Sequence, residues 1–359
     1  MKIKSLVGLF TAAALSMSVA TTAVADDKVL LKLPVWFGTH LIGLGSAPVY
    51  FADTLNAASG GSVRVKVYEP GKLVANKEIM ENVSNGTVNA GWSTPGYNTG
   101  LLGLGGNLFS AVPFGPEAGE YLAWVLYGGG GELWQGIYDD AGLNIKAIPC
   151  SIIAPETSGW FHTPIEGVED LDGLRMRFFG LGAKVMEKLG VQTFLLAGGD
   201  IMPAIEKGAL DATEFSMPAI DKLLGFPKLL KHNYFPGWHQ QSTMFDLLIN
   251  GDTWAGMSDS QQALVEMACK ATMLDGYAQG EAIQFQYMKA NVEESGVTNH
   301  YWSDEMLATF KAAWDEVAAD LVASDEGFAK IYAHLNAFRA DYQIWQEWAY
   351  MPRPSMQGK

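Results

Sequence analysis

The chain has 359 residues, 48% of them hydrophobic, and a formal charge of −15 from 39 acids against 24 Lys and Arg. Such acidity argues against nucleic acid and anionic membranes as partners, and it means that an anionic ligand needs locally placed cations. The length suffices for two α/β lobes with a large core.

The N-terminus combines Lys2 and Lys4, an apolar run over 5–20, and Ala23-Val24-Ala25 ahead of Asp26. These features predict a signal peptide over 1–25, cleaved after Ala25, and hence an exported protein. The run is too short and too rich in small residues for a membrane span. Cleavage leaves 334 residues and removes Lys2 and Lys4, which takes the charge to −17.

An apolar extended stretch over 29–37 fits a first, central strand. A helical pattern within 40–59 closes at Gly60-Gly61, and Val63, Val65 and Val67 then alternate with Arg64 and Lys66 as a half-buried strand. A helix over 77–85 stops at Gly86, and a short strand over 88–93 runs into a loop at 94–98. This rhythm predicts a mainly parallel sheet covered on both faces, with ligands beyond the carboxyl ends of the strands. Trp36, Phe37, Tyr97 and Asn98 lie at such ends.

Aromatic-rich helices over 119–127 and 132–138 belong to the core. A strand over 144–151 then crosses into a second lobe through the loop that holds Glu156. The apolar run 245–250 returns to the first lobe, so the chain crosses more than once, as in a two-lobed clamp. Ser258 and Gln261 form a capping box that opens a helix reaching about residue 294, long enough to span both lobes as a spine. Another helix covers 303–323, and 331–351 is studded with Tyr332, Phe338, Tyr342, Trp345, Trp348 and Tyr350. So aromatic a helix needs a partner surface, either its own chain or another copy. Cys150 and Cys269 are expected as two separate buried thiols, since export permits a disulfide but a pair of cysteines does not demand one. His40, His162 and His232 read as surface or loop residues, and no nucleophile elbow, phosphate loop or zinc spacing occurs.

The most informative stretch is 170–240. Leu174, Met176 and Phe178 alternate with Arg175 and Arg177, so both guanidinium groups start on one strand face. A helix over 182–189, an extended run over 191–196, a turn at 197–200 and a helix over 201–207 follow. Extended structure then returns with Asp211 and Glu214. Arginine and glutamate brought together this way make either a structural ion pair or a ligand site. In the second case the arginine fork grips a carboxylate and Glu214 holds a cation that the same ligand touches. Residue types alone do not choose.

The run Gly173-Leu174-Arg175-Met176-Arg177, Ala197-Gly198-Gly199-Asp200 and Ala209-Leu210-Asp211-Ala212-Thr213-Glu214-Phe215, followed by Tyr234-Phe235-Pro236-Gly237-Trp238-His239, resembles the solute-binding proteins of TRAP (tripartite ATP-independent periplasmic) transporters. The branch that binds α-keto and α-hydroxy acids with a metal ion is most similar. Ser59-Gly60-Gly61, Tyr68-Glu69-Pro70-Gly71 and Ala111-Val112-Pro113-Phe114-Gly115 fit it in the right order. The resemblance implies a two-lobed α/β periplasmic-binding-protein fold (type II-like), hinged, with a long spine helix and C-terminal helices that pair two protomers as a homodimer. The lobes divide as 26–152 plus 242–285 and 153–241 plus 286–330, with 331–359 as the pairing helices. Implied partners are a small organic acid and the TRAP membrane permease, the location is the periplasm, and the cofactor is calcium or sodium.

Residue by residue, Arg177 takes the ligand carboxylate as a bidentate pair, and Arg175 faces solvent. Glu214 and the carbonyl of Phe215 bind the metal, joined by Glu156, where relatives carry Gln, and by Gln240, where some carry Glu. The two exchanges offset each other in charge, and the alternative for Glu156 is a ligand amine or hydroxyl with no metal. Trp36, Tyr97, Asn98, Phe178 and Trp238 are expected pocket groups. The same fold admits a C4-dicarboxylate, sulfonate or sugar acid. A different class, an exported hydrolase or lyase using Glu156 and Glu214, lacks any nucleophile constellation.

Overall fold

The computed structural model describes residues 27–351, so the leader expected over 1–25 lies outside it. Its strands, in chain order, are β1 (Val29–Pro34), β2 (Val63–Tyr68), β3 (Ala90–Ser93), β4 (Ile145–Ile153), β5 (Gly159–Phe161), β6 (Arg175–Arg177), β7 (Gln192–Phe194), β8 (Ala212–Thr213), β9 (His232–Phe235), β10 (Thr243–Asn250) and β11 (Thr298–Tyr301). They sort into two lobes.

In the first lobe β1 and β2 pair in parallel, and a parallel bridge between Val35 and Trp92 links them to β3, β10 and β4. Leu31 and Leu33 of β1 are buried while Leu30 is exposed, as alternation requires. Every residue of β10 is buried, because it is the middle strand of its three. The expected mainly parallel sheet is corrected here. β10 returns from the second lobe and therefore runs antiparallel to both β3 and β4. The second lobe is also mixed, in the order β11-β9-β5-β8-β6-β7, with β5 antiparallel to both neighbours.

The spine helix covers Asp259–Ser295, opened by the reciprocal Ser258–Gln261 capping box and ended by Gly296 in the left-handed region. It packs on β4 and the helix Ser46–Ala58 of the first lobe, and on the helix Pro218–Leu224 of the second. Cys269 on this helix is disulfide-bonded to Cys150 of β4, with Cα atoms 4.2 Å apart. The expectation of two separate thiols is therefore wrong. Tertiary packing joins residues 119 positions apart in sequence, which no local spacing announces.

After β11 the helix Asp304–Ser324 lies on the second lobe, where Lys188 meets Glu316 at 2.8 Å. The last helix, Glu326–Ala349, crosses to the first lobe, where Arg339 donates to Glu120 and Trp124 donates to His334. Phe338 still packs on the core, but beyond Tyr342 the aromatic residues turn outward, and Trp348 is 87% exposed. His232, expected at the surface, is half-buried in β9 with Nδ1 2.9 Å from Nε2 of His300.

Candidate functional site

The carboxyl ends of the strands of both lobes converge on one buried polar cluster. β6 supplies Arg177 at its end, and the segment after β8 supplies Glu214 and Phe215. The loop between β4 and β5 supplies Glu156, and the turn after β9 supplies His239 and Gln240. Glycine lets these segments approach. A Cβ on Gly237 would stand 2.3 Å from the carbonyl oxygen of Glu156, so any side chain there would push the two loops apart. Likewise a Cβ on Gly96 would stand 2.8 Å from the ring of Phe179, across the seam between the lobes.

Arg177 is fully buried. Its Nη1 donates to the carboxylate of Glu214 at 3.0 Å and to the Glu214 carbonyl at 2.7 Å, while Nε donates to the Leu196 carbonyl at 3.2 Å. Nη2 reaches across the seam to the hydroxyl of Tyr97 at 3.3 Å. A guanidinium carries five N–H donors, so the spare capacity lies at Nη2. Its ring partner is Phe215, 4.8 Å from the guanidinium carbon.

Glu214 uses Oε2 for Arg177 and for the Phe179 N–H, but its Oε1 has no hydrogen-bond partner. The same holds for Glu156 Oε2, Gln240 Oε1 and both nitrogens of His239. His239 Nε2 lies 3.5 Å from Glu214 and 3.8 Å from Glu156, ion-pair rather than hydrogen-bond distances. Burial drives Glu156 up, and Glu214 beside it adds to the rise, so its carboxyl is pushed up to about 7 despite the counter-pull of His239. Burial also works against the charge on Glu214, but Arg177 and His239 hold its carboxyl below the usual range. Burial would lower His239, yet Glu156 and Glu214 raise it to about 9. Burial likewise lifts the Tyr97 hydroxyl to about 12, so it stays protonated.

Unpaired buried oxygens are costly in a low-dielectric interior unless something meets them. Among the described residues, Glu156, Glu214 and His239 form the one group of three His, Cys, Asp or Glu side chains with donor atoms close enough for a metal ion, all within 4.8 Å. Together with the free Gln240 oxygen, the set is rich in oxygen donors, and a hard cation fits it.

Beside this cluster a cavity of about 10 Å³ is lined by residues that include Phe37, Thr94, Tyr97, Glu156, Phe179, Phe215, Gln240 and Phe245. It adjoins a chamber of about 300 Å³ between the lobes, walled by Trp36, Phe37, Tyr97, Leu195, Leu196 and Phe215. Trp36, Tyr97 and Phe179 stack in series at 4.7 and 4.5 Å, so one aromatic column crosses the seam.

Of the residues expected at the pocket, Trp36, Tyr97, Glu156, Phe215 and Gln240 line these spaces, and Arg177 and Glu214 adjoin them. Asn98 instead spends its amide on Ser93 and the Thr94 carbonyl, holding its own loop. Trp238 stacks on Phe310 at 4.6 Å in the second lobe's core, and Phe178 packs against Trp238 and His239. Phe179 takes the place at the cavity given to Phe178. Strand alternation contained that signal, because Phe179 shares a face with Arg177, two residues back, and Phe178 does not. The sequence offered no sign of His239 standing between two carboxylates.

Comparison with known proteins agrees with this architecture. The profile of bacterial extracellular solute-binding protein family 7 matches residues 40–325. A monocarboxylate 2-oxoacid-binding periplasmic protein of Nostoc sp. is 30% identical over 290 residues, covering 80% of this chain and 78% of that protein. A TRAP transporter solute-binding protein from Bordetella bronchiseptica superposes with a TM-score of 0.86 at 26% identity, over 90% of this chain and 95% of that one. It is a mixed-occupancy dimer with copurified calcium and picolinate in its bound active site. A TRAP periplasmic solute-binding protein from Pseudoalteromonas atlantica, with bound sodium and pyruvate, superposes with a TM-score of 0.85 at 27% identity, over 90% of this chain and 97% of that one. With its two lobes, its converging strand ends and a matching profile across most of its length, the chain belongs to the DctP family of bacterial extracellular solute-binding proteins.

Proposed function

We propose that this protein captures a small 2-oxo or 2-hydroxy monocarboxylate together with a calcium or sodium ion, and delivers it to the membrane permease of a TRAP transporter from the periplasm. The observation that carries the reading is the buried set of unpartnered oxygens on Glu156, Glu214 and Gln240 beside Arg177 Nη2, whose two N–H groups are met only by the Tyr97 hydroxyl. Glu156, Gln240, Glu214 and the Phe215 carbonyl are the residues that would hold the ion. When bound, it supplies a positive anchor for the ligand's 2-oxygen and carboxylate. Arg177 meets that carboxylate through Nη2 and displaces the Tyr97 hydroxyl. Its other donors stay committed, so the contact is narrower than a full two-nitrogen fork. Arg177 comes from one lobe and Tyr97 and Trp36 from the other, so the ligand stabilises the closed clamp and shifts that equilibrium. A cavity of about 10 Å³ holds no more than about one water, so an acid enters only after the lobes part.

Two further features support the family's assembly and export. The outer end of the last helix exposes Ile344, Trp345, Trp348 and Tyr350, the apolar face that a second copy would cover in a homodimer. The leader expected over 1–25 accounts for export. A thermal-shift series with pyruvate tests the ligand and the ion together. The melting temperature should rise with pyruvate, lose that rise on chelation in sodium-free buffer, and recover it with calcium or sodium. A response to C4-dicarboxylates or sugar acids and none to 2-oxo monocarboxylates would sink the reading.

A further inference from the structure

Asp221 lies early in the helix Pro218–Leu224, fully buried and outside the lining of either cavity. Its carboxylate gathers donors from three separate segments. Trp160 Nε1 in β5 donates to Oδ2 at 2.7 Å, the Ser216 N–H to Oδ1 at 3.2 Å, and the Thr157 hydroxyl to Oδ2 at 3.3 Å. Thr157 directly follows Glu156, and Ser216 directly follows Phe215. The Thr157 N–H also donates to the Ser216 carbonyl at 3.0 Å, so the two ion-holding segments are stitched side by side with Asp221 closing the ring. Among the described residues, the Thr157 hydroxyl and the Ser216 N–H have no other hydrogen-bond partner.

We propose that Asp221 is a positioning residue, which fixes the spacing between the Glu156 carboxylate and the Phe215 carbonyl and thereby sets the affinity of the ion and of the acid bound to it. The inference rests on the function proposed above. Burial away from any cation pushes this carboxyl well above its usual range, and both of its oxygens still accept. Two oxygens serve three donors on two sides, whereas an amide offers one acceptor and turns an NH₂ toward the rest, so at least one segment must be released. Outer partners that orient metal ligands commonly change affinity by about 10–100-fold when removed.

Asp246 is the matched control. It too is fully buried and takes hydrogen bonds from two side chains, Tyr138 and Trp134, but it ties no ion-holding segment. The experiment compares wild type, Asp221→Asn and Asp246→Asn in two measurements. Isothermal titration with pyruvate in sodium- and calcium-containing buffer reads affinity. Terbium luminescence lifetimes in H₂O and D₂O count the waters left on an ion in the site. Asp221→Asn should weaken pyruvate at least about tenfold and add a water to bound terbium, while Asp246→Asn changes neither although both variants lose thermal stability. Should Asp221→Asn fail to fold, Thr157→Val removes one of the three donors and should weaken pyruvate severalfold. Affinity within twofold of wild type in whichever variant folds, or an equal loss in Asp246→Asn, overturns the positioning role alone. A wild-type chain that binds neither pyruvate nor an ion overturns the proposed function as well.

Discussion

The two ends of β6 carry the same ion pair in opposite surroundings. At the outer end Arg175 forks onto Asp211 through Nε at 2.9 Å and Nη2 at 2.6 Å, with the two side chains 41% and 36% exposed. At the inner end Arg177 meets Glu214 at 3.0 Å, with exposures of 1% and 0%. The outer pair has the better fork, yet water competes for both of its partners. The inner pair has poorer geometry with each other, and its other groups are met by backbone, by Tyr97 and by Phe179, except Glu214 Oε1, which has no partner. Bidentate geometry therefore does not identify the functional arginine. What marks Arg177 is burial beside carboxylate oxygens that have no partner.

The strongest way to break the contrast is to remove one inner partner. Arg177→Ala leaves the buried Glu214 without its hydrogen-bonded cation, which should cost about 3–5 kcal/mol of stability. Pyruvate binding should fall below detection in isothermal titration. The double variant Arg177→Met, Glu214→Leu should recover much of the stability and none of the binding, because the stranded charge is gone and the site with it. A single Arg177→Ala variant that melts and binds like wild type would show that the inner pair is as expendable as an exposed one.

Next in size is a constraint that lies in neither pair. The Cys150–Cys269 bond fastens the spine helix to β4 across 119 residues of chain, and removing it should cost about 2–5 kcal/mol. Since the bond lies in the first lobe, Cys150→Ala with Cys269→Ala should lower the melting temperature while pyruvate affinity at 25 °C stays within about twofold. A large loss of affinity would mean that the site depends on the spine's attachment and not only on its own ion pair.

What could be read beforehand follows the same line between local and gathered features. The spine helix was legible because the Ser258–Gln261 box and the helical spacing after it are local, and the observed start and end agree. The return to the first lobe was legible from the apolar run 245–250, and the strand there spans Thr243–Asn250. Arg177 and Glu214 stood out through a family resemblance and not through their chemistry, which Arg175 and Asp211 duplicate. The disulfide and the placement of His239 between two acids depend on which faces meet in three dimensions, whereas Phe179 was legible in the strand alternation that puts it on the face of Arg177.

A third buried acid sharpens why the inner pair needs its cation. Asp246 has Tyr138 and Trp134 as donors and no positive partner, so burial raises its carboxyl to about 6, where Glu214 beside Arg177 is held low. The folded state therefore keeps a proton on Asp246 that the unfolded chain has released. Stability from this group is complete below about pH 4 and declines as pH rises through about 6, by about 3 kcal/mol in all. Glu214 acts in the reverse sense, losing stabilisation as pH falls. Chemical denaturation between pH 4 and 7 should show the decline in wild type and a flatter profile in Asp246→Asn. An unchanged slope in the variant would mean that Asp246 stays ionised without a cation.

The smallest effect belongs to the outer pair. Arg175 raises no desolvation problem, since water replaces Asp211 wherever the fork opens. The pair does hold Asp211 below the usual carboxylate range, chiefly through the Arg175 side chain's hydrogen bonds. That advantage is shared with solvent and screened by ions, because exposed charges separated by water lose most of their attraction at physiological salt. Arg175→Ala should therefore melt close to wild type in 150 mM salt, differ slightly more at low salt, and bind pyruvate unchanged. Calcium dependence should be unchanged too, as no oxygen of the cluster touches Asp211. A loss of pyruvate affinity in this variant would reverse the assignment of roles along β6, because it would show that the outer fork, and not burial, sets what the inner arginine can do.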